Sequence, residues 1–305
     1  MLPIHLEPQW FADEDFRFRL GTVPGTVKDF FALSREASTV LAERHHWLTT
    51  DPQRYAAMLP EAVAIVGELL DLVSSWPILC GTPDALWSPD INLLDRLLML
   101  SERLEPDLVL LAPSSGICMD PSGRARLSPS RDPQQTTDHH EQFTVVAGCV
   151  CFPSGWRLTD KLGQSVGEVH QPVPQLNSIL GPQIDRLLSR LRSGKCLVRA
   201  NWGVCGCPEF NQHLDRNLPA IASPVKLNQA WLRREDQCLF TLPRTGGVVF
   251  GIRVSHVSWE ELRSAPVAAG SVARALRSMP PDMRDYKRLN VIYEELARLL
   301  EEPHE

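Results

Sequence analysis

Three familiar signatures are missing from this 305-residue chain. No Gly-x-Gly-x-x-Gly opens a helix behind a strand pattern, no phosphate-loop lysine occurs, and His-Glu-x-x-His is absent. The first two absences exclude the usual cradles for a nicotinamide or a nucleoside phosphate. Any redox chemistry here draws its electrons from another protein. An excess of positive charge is missing too: the net charge is −6, so nothing draws the chain to nucleic-acid phosphates. Mixed clusters such as Arg233-Arg234-Glu235-Asp236 leave that unchanged. Long apolar runs are also lacking. The strongest, Val145 to Phe152, is far shorter than the roughly 20 residues of a membrane-spanning helix. With three tyrosines, few phenols are available for proton delivery.

What is present is ordinary globular material, 43% hydrophobic and 22% charged, enough to bury a substantial core. The segment Met1 to Glu7 has neither a basic stretch nor an apolar one, so no secretory leader is read there. Eight cysteines in that context are expected to be thiols of a cytoplasmic protein, not a disulfide framework.

Helical spacing marks Ala62, Val63, Val66, Leu69, Leu70 and Val73 after Pro60, and again Asp90 to Leu98. Prolines 52, 77, 83 and 89 confine these helices to short pieces. Strands are expected at Leu108 to Leu111, at Phe143 to Cys151 (apolar on both faces), and at Leu197 to Val204. In the last, Val198, Ala200, Trp202 and Val204 share one face and Arg199 and Asn201 the other. Cys238 to Leu242 and Val248 to Val254 read as a hairpin around Pro243-Arg244-Thr245-Gly246-Gly247. Asp120 to Pro133 reads as a loop. Leu180, Ile184, Leu187, Leu188 and Leu191 make an amphipathic helix that Pro182 is placed to start. Two more helices close the chain, one after Pro266 and one with Leu289, Ile292, Leu296, Leu299 and Leu300 in a stripe. The pattern predicts an α+β fold: residues 1–105 a helical collar, 106–262 a mostly antiparallel sheet with a helical insertion, and 263–305 C-terminal helices, together one domain.

Several groups of residues invite chemistry. Cys149 with Cys151 and Cys205 with Cys207 offer four thiolates, but the first pair lies in a strongly apolar strand where cysteine packs as a small hydrophobe. Asp138-His139-His140-Glu141 adjoins a polar stretch and reads as a solvated loop, and His45-His46 receives the same reading. His170 is followed by Pro172 and Pro174, which push Gln171 and Val173 toward extended backbone and would hold the imidazole stiffly. Such restraint suits an axial ligand, though a histidine in apolar surroundings is also an ordinary core residue. Arg199, Asn201 and Arg253 interrupt apolar strands; an open sheet face and a polar pocket wall both fit that pattern.

Five blocks in order carry a family resemblance. They are Val146 to Leu158, with Phe152-Pro153-Ser154-Gly155-Trp156 at its centre; Lys161-Leu162-Gly163 with Val169-His170-Gln171-Pro172-Val173-Pro174; Arg199-Ala200-Asn201-Trp202; Arg234-Glu235-Asp236-Gln237-Cys238-Leu239; and Leu242 to Gly246 with Phe250-Gly251-Ile252-Arg253. The chain resembles the haem-dependent oxidative N-demethylase alpha-subunit family over nearly its whole length. The resemblance implies a single PAS-like domain binding haem b. It implies an O2-dependent monooxygenase that oxidises the methyl group of a small secondary amine, such as dimethylamine, and releases formaldehyde. Partners implied are flavin and iron–sulfur reductase components carrying electrons from NADPH, with tetrahydrofolate as a formaldehyde acceptor. Carried onto this sequence, His170 is the axial ligand, and Arg157 and Lys161 contact the propionates. Arg199, Asn201, Glu235 and Arg253 line the reactive pocket, and Trp202 joins Glu235 in attracting an ammonium group. A non-catalytic haem-binding PAS-like sensor is the alternative. Cys205-Gly206-Cys207-Pro208 and Gly155 depart from the family pattern.

Overall fold

A computed structural model describes residues 15–302 apart from 80, 82–83, 115–116, 120–124 and 128–140, with backbone alone at 117–119 and 125–127. The expected loop from Asp120 to Pro133 and the Asp138-His139-His140 cluster therefore lie largely outside the described residues.

Nine strands are described: β1 (Val23–Gly25), β2 (Ala56–Met58), β3 (Asp107–Pro113), β4 (Ile117–Met119), β5 (Ala125–Leu127), β6 (Phe143–Cys149), β7 (Cys196–Cys205), β8 (Trp231–Thr241) and β9 (Val248–Ser258). Seven form one antiparallel sheet in the order β1-β7-β8-β9-β3-β6-β2, while β4 and β5 pair separately. Strands β3 and β6, toward the β2 edge, are apolar along nearly their full length because both of their faces are covered. The β8–β9 hairpin turns where expected. Gly246 takes the left-handed φ of +67°, and the buried Glu68 carboxylate accepts the amide protons of Arg244 and Thr245 at 2.5 and 2.8 Å.

β8 begins at Trp231, seven residues before the strand expected from Cys238. The charged run Arg233-Arg234-Glu235-Asp236 looks loop-like in sequence. In the strand its members alternate between the two faces, and each finds polar partners there.

Helices α1 (Val27–Phe30), α2 (Ala37–Thr50), α3 (Pro52–Tyr55), α4 (Val63–Val73) and α5 (Leu93–Ser101) build the collar. Between β6 and β7 come α6 (Val166–His170) and α7 (Leu176–Arg190). After β9 come α8 (Trp259–Arg263), α9 (Pro266–Ser278), α10 (Pro281–Tyr286) and α11 (Tyr293–Glu301). Directly opposed residues share a face, so the register settles which side each residue occupies. Leu197, Arg199, Asn201, Glu235, Gln237, Ile252 and Val254 lie on one face; Val198, Ala200, Trp202, Asp236 and Arg253 lie on the other. The second face is covered by two apolar clusters, one with α4 and α5 and one with α8, α9 and α11. The first face packs against α2, the segment after β6, and the pair α6 and α7.

Two expectations about this pair are corrected. Gln171 is not extended but right-handed helical, at φ −53° and ψ −37°, and His170 ends a helix. The Ser165–Glu168 capping box seeds that helix, and the turn behind it closes with Val173 N–H on the His170 carbonyl at 2.9 Å. Pro182 does not start α7 but sits inside it. The helix begins six residues earlier, after Gln175 in the left-handed conformation at φ 61°. There the Gln175 side chain donates to Asp282 of α10 at 2.8 Å.

One ion pair anchors the collar to the sheet. Arg44 of α2 donates to Asp107 of β3 at 2.8 Å, both fully buried, and Asp107 also accepts the amide protons of Cys151 and Phe152 at 2.8 and 2.9 Å. These contacts fix where the chain leaves β6 on its way to α6.

Candidate functional site

The short α6 carries His170 on its last turn, half-buried beside α7. Its Nδ1 is buried and has no hydrogen-bond partner. Burial first, and then the positive charges of Arg199 and Lys161, hold the imidazole below its ordinary pKa. The ring is therefore neutral near pH 7, the state in which a histidine nitrogen can bind a metal. It lines an open cleft of about 240 Å³ together with Gly167, Asn177, Gly181, Ile184 and Asp185.

Arg199 projects from β7 on the face that α6 and α7 cover. Its Nε is also buried without a partner, and burial lowers the guanidinium pKa against the pull of Glu235. Across the strands, Glu235 accepts from Gln237 Nε2 at 3.1 Å and lies 3.5 Å from Asn201 Nδ2. The Ser154 hydroxyl donates to its other oxygen. Ser154 in turn accepts from Arg233 Nε at 2.7 Å. Arg233 spends its remaining donors on the Phe152 carbonyl (2.7 Å), the Glu209 carbonyl (3.3 Å) and His256 Nε2 (3.0 Å). An acceptor role for that nitrogen requires a neutral ring. Burial, aided by Arg233, keeps His256 neutral by lowering its pKa to about 3.

Of the residues carried over from the family resemblance, Arg199, Asn201 and Glu235 share one face of the sheet, and the charges of Arg199 and Lys161 reach His170. Three other candidates sit elsewhere. Arg253 is on the opposite face, where it pairs with Glu105 at 3.3 Å and donates to the carbonyls of Phe30 and Ala32. Trp202 is on that face too, packed against the C-terminal helices. Arg157 is held by Asp215 and, at 3.5 Å, by Asp160.

Four contributors were missed. Ser154 and Arg233 lay inside or beside the quoted blocks, but nothing in strand alternation tells which residues bond to Glu235. Tyr286 and Lys287 lie at the end of α10, and the electrostatics of both feel Glu235. Burial lowers the Lys287 pKa, and Nζ donates to the Trp202 carbonyl at 3.2 Å, 6.0 Å from the centre of that indole. No sequence signal points to them; they lie in a polar turn remote in the chain.

Gly163-Gln164-Ser165-Val166-Gly167 spells Gly-x-Ser-x-Gly, the pattern of a hydrolase nucleophile turn. Here Ser165 caps α6: its hydroxyl donates to Glu168 at 2.7 Å and accepts the Glu168 amide proton at 3.2 Å. That geometry is a helix cap, and it does not present the hydroxyl as a nucleophile. Cys149 and Cys151 are fully buried, as core packing predicts, and Cys196 and Cys238, for which the sequence pattern carries no such expectation, touch at 3.2 Å between sulfurs.

Among the described residues, no three His, Cys, Asp or Glu side chains converge to hold a bare metal ion. A family model described as haem-dependent oxidative N-demethylase, alpha subunit-like, matches residues 87–297, well over half of the chain and including every site residue just placed. The chain belongs to that family.

Proposed function

We propose that this chain is the haem-bearing subunit of an O2-dependent N-demethylase acting on a small secondary amine, in which His170 would hold the haem iron. The observation that carries this reading is the neutral His170 imidazole with an unpartnered nitrogen, set beside an unpartnered Arg199 guanidinium nitrogen. One imidazole is the donor set a haem requires, since the porphyrin supplies the other nitrogens. Arg199 and Lys161 are suited to propionate carboxylates, whereas Arg157 already holds two aspartates. The open cleft of about 240 Å³ is smaller than the roughly 300–1,000 Å³ of pockets that enclose ligands, so a haem held by His170 would extend beyond it.

Haem bound there would supply the oxidation of an N-methyl carbon by O2, with two electrons and two protons, one oxygen leaving as water and the other in formaldehyde. The chain's own part is to bind and orient the amine. Glu235, aimed by Ser154 and Gln237, is the carboxylate that would receive an ammonium group, and Asn201 offers a second polar contact. Lys287 and Arg199 nearby compensate the Glu235 charge when no amine is bound. The missing nucleotide motifs agree with electrons arriving from NADPH through separate flavin and iron–sulfur components, and an alpha-subunit-like family agrees with partner subunits. The PAS-like use of the sheet and tetrahydrofolate as formaldehyde acceptor belong to the same reading. No helix among the described residues is long and apolar enough to cross a membrane.

Amine-dependent oxygen consumption by the haem-loaded chain, with a supplied reductant, tests the activity. Glu235→Gln is expected to raise the KM for dimethylamine about tenfold or more while leaving the haem absorption unchanged. Oxygen uptake that ignores every small secondary amine would end the enzymatic reading.

A further inference from the structure

A second groove lies on the other flank of α7, and nothing in the proposed chemistry uses it. Its volume is about 450 Å³, within the range of ligand pockets. Leu20, Leu187, Leu191 and Leu197 give it an apolar bed, and Arg186, Arg190, Arg192 and Lys195 stand around it. We propose that this groove binds an amphipathic organic polyanion, an apolar body carrying two or more carboxylate or phosphate groups.

Charge balance is the first support. The chain as a whole has net charge −6, and several arginines elsewhere on its surface find carboxylates. Arg216 rests on Glu209, Arg244 on Asp71, Arg277 on Glu294 and Glu301, and Arg298 on Glu302. Among the described residues, none of the four cations of the groove forms an ion pair, and no acid lines it.

Helix electrostatics do not account for the cluster. A cation in the last turn complements the helix dipole, which explains Arg190. Arg192 and Lys195 lie beyond the helix. Arg186 and Arg190, four residues apart on one face, repel each other, a cost that a bound anion would relieve.

The bed is the second support. Arginine and lysine stems cover apolar surface in this way on many helices, yet here a groove of about 450 Å³ stays open beside the leucines. Together they match a ligand with one apolar body and several anionic groups, which bidentate arginines grip well. That ligand is separate from the haem, whose proposed seat beside His170 lies on the other flank of α7.

The test uses the haem-free full chain and the planar trianion 8-hydroxypyrene-1,3,6-trisulfonate, followed by fluorescence anisotropy. Saturable binding is expected, weakened by salt and weakened at least about tenfold in R186Q/R190Q, a variant that relieves repulsion and so keeps α7 folded. Equal affinity in the variant and the parent, or no saturation in the parent, overturns the proposal. Simultaneous binding of hemin and the trianion is expected; full competition by hemin would place the groove within the haem seat and overturn a separate site. The outcome is independent of His170, because H170A is expected to weaken hemin binding at least about tenfold and to leave the trianion affinity unchanged.

Discussion

At the scale of single residues, the site is a set of polar groups held where water cannot easily serve them. His256 is the clearest case. Its folded pKa of about 3 lies below the ordinary 6.5, so between those values the unfolded chain takes up a proton that the folded chain refuses. Stability therefore falls as pH falls through that window, by about 1.4 kcal/mol per pH unit for this one proton. His256→Gln keeps an acceptor for Arg233 and removes the titration. Urea midpoints at pH 7 and pH 4.5 should show the variant losing about 2 kcal/mol less than the parent; parallel losses would contradict the assignment. Residues of this kind were legible only in part. Arg199 and Asn201 announced themselves because each breaks an apolar alternation. Arg253 breaks one in the same manner, yet its strand position turns it to the opposite face, where Glu105 takes it. Alternation along one strand cannot give the register between strands, and the register decides which polar residues meet.

At the scale of elements, the ligand candidate depends on a helix of five residues that would not persist alone. Ser165 and Glu168 cap its start, and Val166 and Val169 pack it against the sheet. Ser165→Ala is expected to cost about 1 kcal/mol of stability in thermal unfolding and to weaken hemin binding alongside. Unchanged hemin affinity would mean that the cap does not position His170. The prolines at 172 and 174 predict extended backbone at Gln171, and the structure has helix there. The bias against helix before a proline is modest, and here a capped helix and the docking of α7 outweigh it. Strand existence is easier to read than strand length, because β3 and β6 advertise nearly continuous burial while β8 hides its first half under charges.

At the scale of the molecule, the sheet is the partition. One face meets the α4–α5 collar and the C-terminal helices, and the other carries α2, α6 and α7 with the polar site between them and β7. The sequence pattern foresaw helices at both ends enclosing a mostly antiparallel sheet. It did not foresee that the collar divides, with α2 crossing to the site's side, since that follows from the long-range Arg44–Asp107 pair. Breaking one partner of a buried ion pair leaves an uncompensated charge, so Asp107→Asn should cost about 3–5 kcal/mol in chemical denaturation. A loss below about 1 kcal/mol would remove that pair as the anchor.

The central claim is that this chain seats an iron porphyrin on His170, and a hemin titration followed by absorption reads it directly. The parent is expected to develop a saturating Soret band at one equivalent, as is the exposed-site control His46→Ala, while His170→Ala binds at least about tenfold more weakly, a difference near 1.4 kcal/mol. A parent chain that never acquires the band, or a His170→Ala chain whose band and affinity match the parent's, would contradict the account.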